Sequence, residues 1–178
     1  MHNEIIDFWF SEIDKKKWFA KDQSFDQLIR SRFSQVHRQA AQCELFSWRS
    51  TALGCLAEVI VLDQFSRNMS RHNADSFAYD SLALSLAQSA ISRELDLELT
   101  PRQRPFLYMP FMHSESLTIH QQAVTLFTNL GIESNLNFEI RHKAIIERFG
   151  RYPHRNKILA RPSTNEERDF LQQPGSGF

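Results

Sequence analysis

Apolar side chains in this chain return every three or four positions, and nowhere do they alternate long enough to build a half-buried strand. The pattern predicts an all-α fold. After Ser24, a capping residue with Gln27 three positions on, Phe25, Leu28, Ile29, Phe33 and Val36 fall on one helical stripe. The run Thr51 to Phe65, TALGCLAEVIVLDQF, is apolar on nearly every face and predicts a central helix surrounded by neighbours. Asp75 or Ser76 opens a helix through AYDSLALSLAQSAIS. Thr100 caps a short element with Pro101 at its first position, kept short or kinked by Pro105 and Pro110. Ser114 or Ser116 starts a helix that runs to about Leu130 and stops at Gly131. The next helix is Phe138 to Phe149, stopped by Gly150, and Thr164 with Glu167 has capping-box spacing for a last helix. No Gly-, Ser- or Pro-rich linker divides the chain, so residues 1–178 are expected to form one domain of about seven or eight helices.

Composition narrows the function classes. With 42% hydrophobic residues the chain has enough apolar mass for a core without disulfides or a structural metal. Acidic and basic residues balance at 21 each, so no global field favours nucleic acid or an anionic membrane, and neither is expected as a partner unless a local patch exists. Cys43 and Cys55 lack metal-binding or redox spacing and fit a reduced, cytoplasmic protein. The start, MHNEIIDFWF, is acidic rather than a basic leader, and no apolar stretch is long enough to cross a bilayer. The aromatic N-terminal region leaves room for a homodimer, although docking of a first helix on the core explains it equally.

Candidate chemistry concentrates in two segments of identical spelling. Phe65 to Arg71 and Phe149 to Arg155 both read F-x-R-x-x-x-R, each after an apolar helix. Arginines beyond a helix end can bond its unpaired carbonyls, which is the simplest role for any one of them. Two per segment, joined by Asn68, His154 and Asn156, exceed what two helix ends require. Should the segments meet, they would line a pocket for an anion, a carboxylate or a peptide. Arg67, Asn68, Arg71, Arg104, His113, Arg151, His154, Arg155 and Asn156 are therefore the expected ligand-binding set.

Among the histidines, His120 and His142 share apolar helical faces and should point inward. An acid–base site would use His113 or His154 with Glu115 or Asp63 as orienter, in a small hydrolase or lyase. Asp63 lies inside the apolar helix and needs a partner, for which Arg67 four residues on is placed. HxxxH, HExxH and HxxEH are absent, so no metal is expected, and no glycine-rich phosphate loop or GxSxG occurs, so no cofactor is expected either. The binding reading is preferred, because no nucleophile, base and orienter can be named from spacing.

The segments LDQFSRN, FMHSESLTIHQQAVTLF, RFGRYPHRN and STNEE, with a terminal PGSGF, resemble the bacterial domain-of-unknown-function family numbered 924 across nearly the whole chain. Asp63, Gln64, Phe65, Arg67 and Asn68 match its DQFPRN element, with Ser66 in the proline's place. His113, Ser114 and Glu115 match its HSE element, and Gly150, Arg151, Pro153, His154, Arg155 and Asn156 its second arginine segment. The resemblance implies a tetratricopeptide-like superhelix of antiparallel helix pairs. The WxxLGxxY repeat signature is missing, so the superhelix rests on resemblance alone, and no activity accompanies it.

Overall fold

The computed structural model describes residues 1–177, which contain helices and turns and no strand. The chain divides into two compact units, the first comprising residues 1–71 and 75–110, the second residues 72–74 and 111 onward.

In the first unit, α1 (His2–Asp7) runs into a π-helical turn, Phe8–Glu12, and buries Ile5, Ile6, Phe8, Trp9 and Phe10. The N-terminal aromatics are thus largely core. α2 (Gln23–Ala41) starts earlier than expected: Asp22, not Ser24, is its cap, and the Asp22 carboxylate accepts from Ser24 N and Phe25 N. A charged oxygen at the positive end of a helix outcompetes a neutral hydroxyl. Of the predicted stripe, Phe25, Ile29 and Phe33 are buried, whereas Leu28 is 42% exposed.

Thr51 caps α3 (Ala52–Ile60), and every residue from 54 to 66 is buried, as a helix apolar on all faces requires. Gly54 permits the close approach of the preceding turn, because a Cβ there would lie 1.9 Å from Trp48 O. The helix does not end at Phe65. It passes through a π-helical turn, Val61–Phe65, into α4 (Ser66–Met69). α5 (Asp80–Ser92) packs Ala83, Ala87 and Ala90 inward, small residues at helical spacing that let it lie against α3. Its start is later than Asp75 or Ser76, since Ser76 sits in a 3-10 turn and donates its hydroxyl to Ser70 O. α6 (Arg104–Met112) carries Pro110 inside it, and Pro101 stays in the preceding turn. The rings of Phe8, Trp9, Phe25, Phe33, Phe65 and Phe106 form this unit's aromatic core.

The second unit is built on α7 (Leu117–Leu130) and α8 (Glu133–Phe149), which pack together and are joined only by Gly131 and Ile132. So short a link makes them antiparallel. Gly131 and Gly150 close the two helices with φ of 75° and 67°, the left-handed conformation glycine adopts at least cost. α8 begins five residues before the expected Phe138. Its first turn is polar, and Phe138 is half exposed, so apolar periodicity could not mark the start. α9 (Asn165–Leu171) has the anticipated capping box between Thr164 and Glu167.

Candidate functional site

The predicted donors fall into both units. In the first, Arg67 reaches Asp80 through both terminal nitrogens (2.9 and 3.0 Å), and its Nη1 also meets Asp63 Oδ1 (3.0 Å) and the Asp63 carbonyl (2.8 Å). The partnership expected for the buried Asp63 is therefore present. Arg71 grips Asp26 with two bonds (2.6 and 2.7 Å), and Asn68 Nδ2 donates to Asp26 Oδ1 at 2.8 Å. Burial pushes the Asp26 pKa up, but Arg71 and Asn68 outweigh it and hold the carboxyl below its ordinary value. Arg104 donates to the carbonyls of Leu97 and Leu99 (3.3 and 3.1 Å), the carbonyl-clamp role. An open hollow of about 280 Å³ in this unit is lined by Glu12, Ile13, Asp14, Lys17, Ser24, Phe25 and Leu28, and includes none of the predicted donors.

In the second unit the structure gathers His113, Glu115, Arg151, His154, Arg155 and Asn156 around Tyr152. Gly150 ends α8 and turns the chain into a 3-10 turn, Pro153–Arg155, started by a proline whose fixed φ suits that position. Arg155, 6% exposed, donates to His113 O at 2.9 Å, and its guanidinium lies over the Tyr152 ring, 4.8 Å from the centroid. Tyr152 N donates to Glu115 Oε1 at 2.7 Å, and the His154 ring centroid is 5.5 Å from that of Tyr152. Residues some forty positions apart are thereby joined. His113, Glu115, Arg151 and His154 are each half-buried, while Tyr152, Arg155 and Asn156 are buried beneath them.

Each carboxylate in this cluster is matched. Glu115 is gripped by Arg161 through two bonds (2.6 and 2.9 Å); burial raises its pKa, but Arg161 and the Tyr152 N–H hold it below the usual value. Glu167 is gripped by Arg151 (2.7 and 2.9 Å), which brings its pKa down to about 2. Asn156 braces the turn, donating to Ser163 Oγ (3.1 Å) and accepting from Arg161 Nε (3.1 Å).

Below Tyr152 lies a polar core. Tyr152 O–H donates to Met112 O (2.6 Å), so its oxygen can only accept from His120 Nε2 at 3.2 Å. His120 Nε2 is also 2.9 Å from Ser114 O, an acceptor, which places a proton on Nε2. His120 Nδ1 lies 2.7 Å from Glu139 Oε1, and burial raises the Glu139 pKa against the opposing pull of His120. His142 donates Nδ1–H to Phe138 O (2.7 Å). Burial drives its pKa down to about 3, and the nearby His113, His120 and His154 press the same way. His120 and His142 both point inward, as their faces predicted.

Asp26, Asp80, Glu139, Tyr152, Arg161 and Glu167 were not among the predicted site residues. Glu139 left a local signal, since it lies three positions before His142 on the same helical face, and Glu167 left one as the capping-box partner of Thr164. The others pair across long stretches of chain, which periodicity cannot register. Among the described residues no group of three or more His, Cys, Asp or Glu side chains is arranged to hold a metal, and no helix is long and apolar enough to cross a membrane.

A solved structure of a protein of unknown function, ATU0120 from Agrobacterium tumefaciens, is 41% identical to this chain, with 96% of each chain covered and a TM-score of 0.92. No curated protein matches. The family described as "Bacterial protein of unknown function (DUF924)" matches residues 5–175. With that coverage, and with the helical architecture shared by the Agrobacterium protein, the chain belongs to the DUF924 family.

Proposed function

We propose that the second unit is a binding module for a small anionic molecule or a peptide, recognised through a carboxylate, and that it works in the cytoplasm, where Cys43 and Cys55 remain free thiols. The observation that carries this reading is the junction of the His113–Glu115 segment with the turn after Gly150, made by the Arg155 bond to His113 O and the Tyr152 N bond to Glu115. It brings the half-buried His113 and His154 into one cluster with the buried Arg155, whose guanidinium lies over the Tyr152 ring. Because Glu115 and Glu167 are each paired with their own arginine, an incoming carboxylate meets little like-charge repulsion from them.

Acid–base catalysis would need Glu115 or Asp63 to orient a histidine. Both Glu115 oxygens are engaged by Arg161 and the Tyr152 N–H, and Asp63 is held by Arg67 and Gln64. Binding is the better-supported role. Thermal unfolding in the presence of acetate, dicarboxylates and peptides with free C-termini tests it. An active probe at about ten times its Kd should raise Tm by about 3 °C. His154→Ala should abolish that rise while leaving the far-UV circular dichroism unchanged. A wild-type Tm indifferent to every carboxylate, or a shift unaltered in His154→Ala, would overturn the assignment.

A further inference from the structure

The first unit holds a feature that the carboxylate site does not use. KKKWFAK, Lys15 to Lys21, sets four lysines around two aromatic rings. The segment is anchored: Asp14 Oδ1 accepts from Lys16 N (2.9 Å), Lys15–Lys17 form a 3-10 turn, and the Trp18 indole donates to Trp9 O (2.9 Å). Trp18 also packs edge-on against Phe106, with ring centroids 4.8 Å apart. Phe19 is left 68% exposed, its ring within 8° of parallel to that of the buried Phe106. Arg102 lies over Trp18, 5.1 Å from the ring centroid, so its charge belongs to the same patch.

Charge accounting sets the patch apart. Lys17 pairs with Asp22, and Glu12 pairs with Arg32. Lys15, Lys16, Lys21 and Arg102 are exposed, and among the described residues none has a carboxylate within 4.0 Å. Asp14, which opens the segment, has no cationic side-chain partner, yet one such acid against four unpaired cations leaves a local positive surplus in a chain of zero net charge.

One exposed phenylalanine is ordinary on a protein surface. A phenylalanine held on a rigid aromatic base, with three unpaired lysines close by in the chain and Arg102 over the adjoining Trp18, matches the chemistry of an anionic lipid surface, whose headgroups attract the cations while the acyl boundary takes the ring. A single-stranded nucleic acid would call for several open ring faces in a row, and here only Phe19 is open. The geometry points to peripheral docking of the first unit on anionic phospholipid, with Phe19 entering the interface and Lys15, Lys16, Lys21 and Arg102 facing the phosphates. The balanced total charge argues against a membrane partner for the chain as a whole; the local surplus reverses that expectation. One ring and a few cations give reversible, salt-sensitive attachment.

Co-sedimentation of the full chain with phosphatidylcholine vesicles, with and without phosphatidylserine, tests this. Wild type should partition about tenfold more strongly onto the phosphatidylserine vesicles and be released by high salt. Phe19→Ser and the double variant Lys15→Glu/Lys16→Glu should each lower the partition about tenfold with unchanged circular dichroism. Equal partition onto both vesicle types, or variants that bind as wild type does, would overturn the proposal. So would binding of oligothymidylate without vesicle binding, or a Phe19-dependent dimer in sedimentation equilibrium without vesicle binding. None of these residues lies in the second unit, so either outcome is separable from the carboxylate test.

Discussion

The segments Phe65–Arg71 and Phe149–Arg155 share one spelling, yet they hold different things. Arg67 and Arg71 each close a two-bonded fork on a carboxylate, Asp80 and Asp26 respectively. In the second segment Arg151 does the same with Glu167, but Arg155 bonds a main-chain carbonyl and stacks on Tyr152. The divergence comes from the course of the backbone beyond each phenylalanine. After Phe65 the chain stays helical to Met69, whereas after Phe149 Gly150 breaks the helix and leads into a 3-10 turn. Spacing alone does not assign an arginine's role; the backbone beneath it does.

The contrast can be broken most forcefully at Arg71. Arg71→Ala leaves the Asp26 carboxylate, 12% exposed, with Asn68 in place of a full ion pair, and should cost about 3 kcal/mol in urea unfolding. Any carboxylate-induced Tm shift should survive it, because Arg71 belongs to the structural segment. Tyr152→Phe is the counterpart in the other unit. It removes the donor to Met112 O and one acceptor for His120 and should cost about 1.5 kcal/mol, with the anion response altered as well. If it left both unchanged, Tyr152 would not be the centre of its cluster.

A pH series sharpens the same point. His142 titrates at about 3 when folded against an ordinary 6.5, so the unfolded chain takes up the proton first. Its stabilising contribution is complete above pH 6.5 and is lost as pH falls towards 3, at about 1.4 kcal/mol per pH unit. His37, also lowered by burial, acts in the same direction. Glu139, raised by burial, acts in the opposite direction, so the comparison carries the test: between pH 7 and about pH 5 His142→Gln should lose less stability than wild type. The smallest expected effect is Gly150→Ala, about 1 kcal/mol. With φ at 67° and nothing within 4 Å of the added Cβ, its cost is purely that of the backbone conformation.

Much of the fold was legible because its signals are local. Gly131 and Gly150 end helices, Thr164 and Glu167 form the capping box, and the run from Thr51 buries itself on every face. Misreadings arose where two local signals competed, as with Asp22 and Ser24, or where apolar periodicity fell silent, as in the polar first turn of α8. The candidate site was half legible. His113, Glu115, His154 and Arg155 come together as residue types capable of binding, but their carboxylate and aromatic partners cannot be read from spacing. Glu115 meets Arg161 and Asp26 meets Arg71 across about forty-five positions, and nothing in a helical period encodes such a meeting.

The π-helical turn Val61–Phe65 has a consequence for how this helix tolerates change in length. A turn of that kind holds one residue more than an α-helix would place there. Deleting a single residue from it would restore a regular helix and leave the downstream face in place, whereas the same deletion in a regular stretch would swing everything downstream about 100° around the axis. A deletion inside the turn would therefore still let Arg67 meet Asp80, and Asn68 and Arg71 meet Asp26, while a deletion in α3 would turn all three away. The wider turn acts as slack, absorbing a residue so that two acidic partners on separate helices are still met by one continuous helical rod.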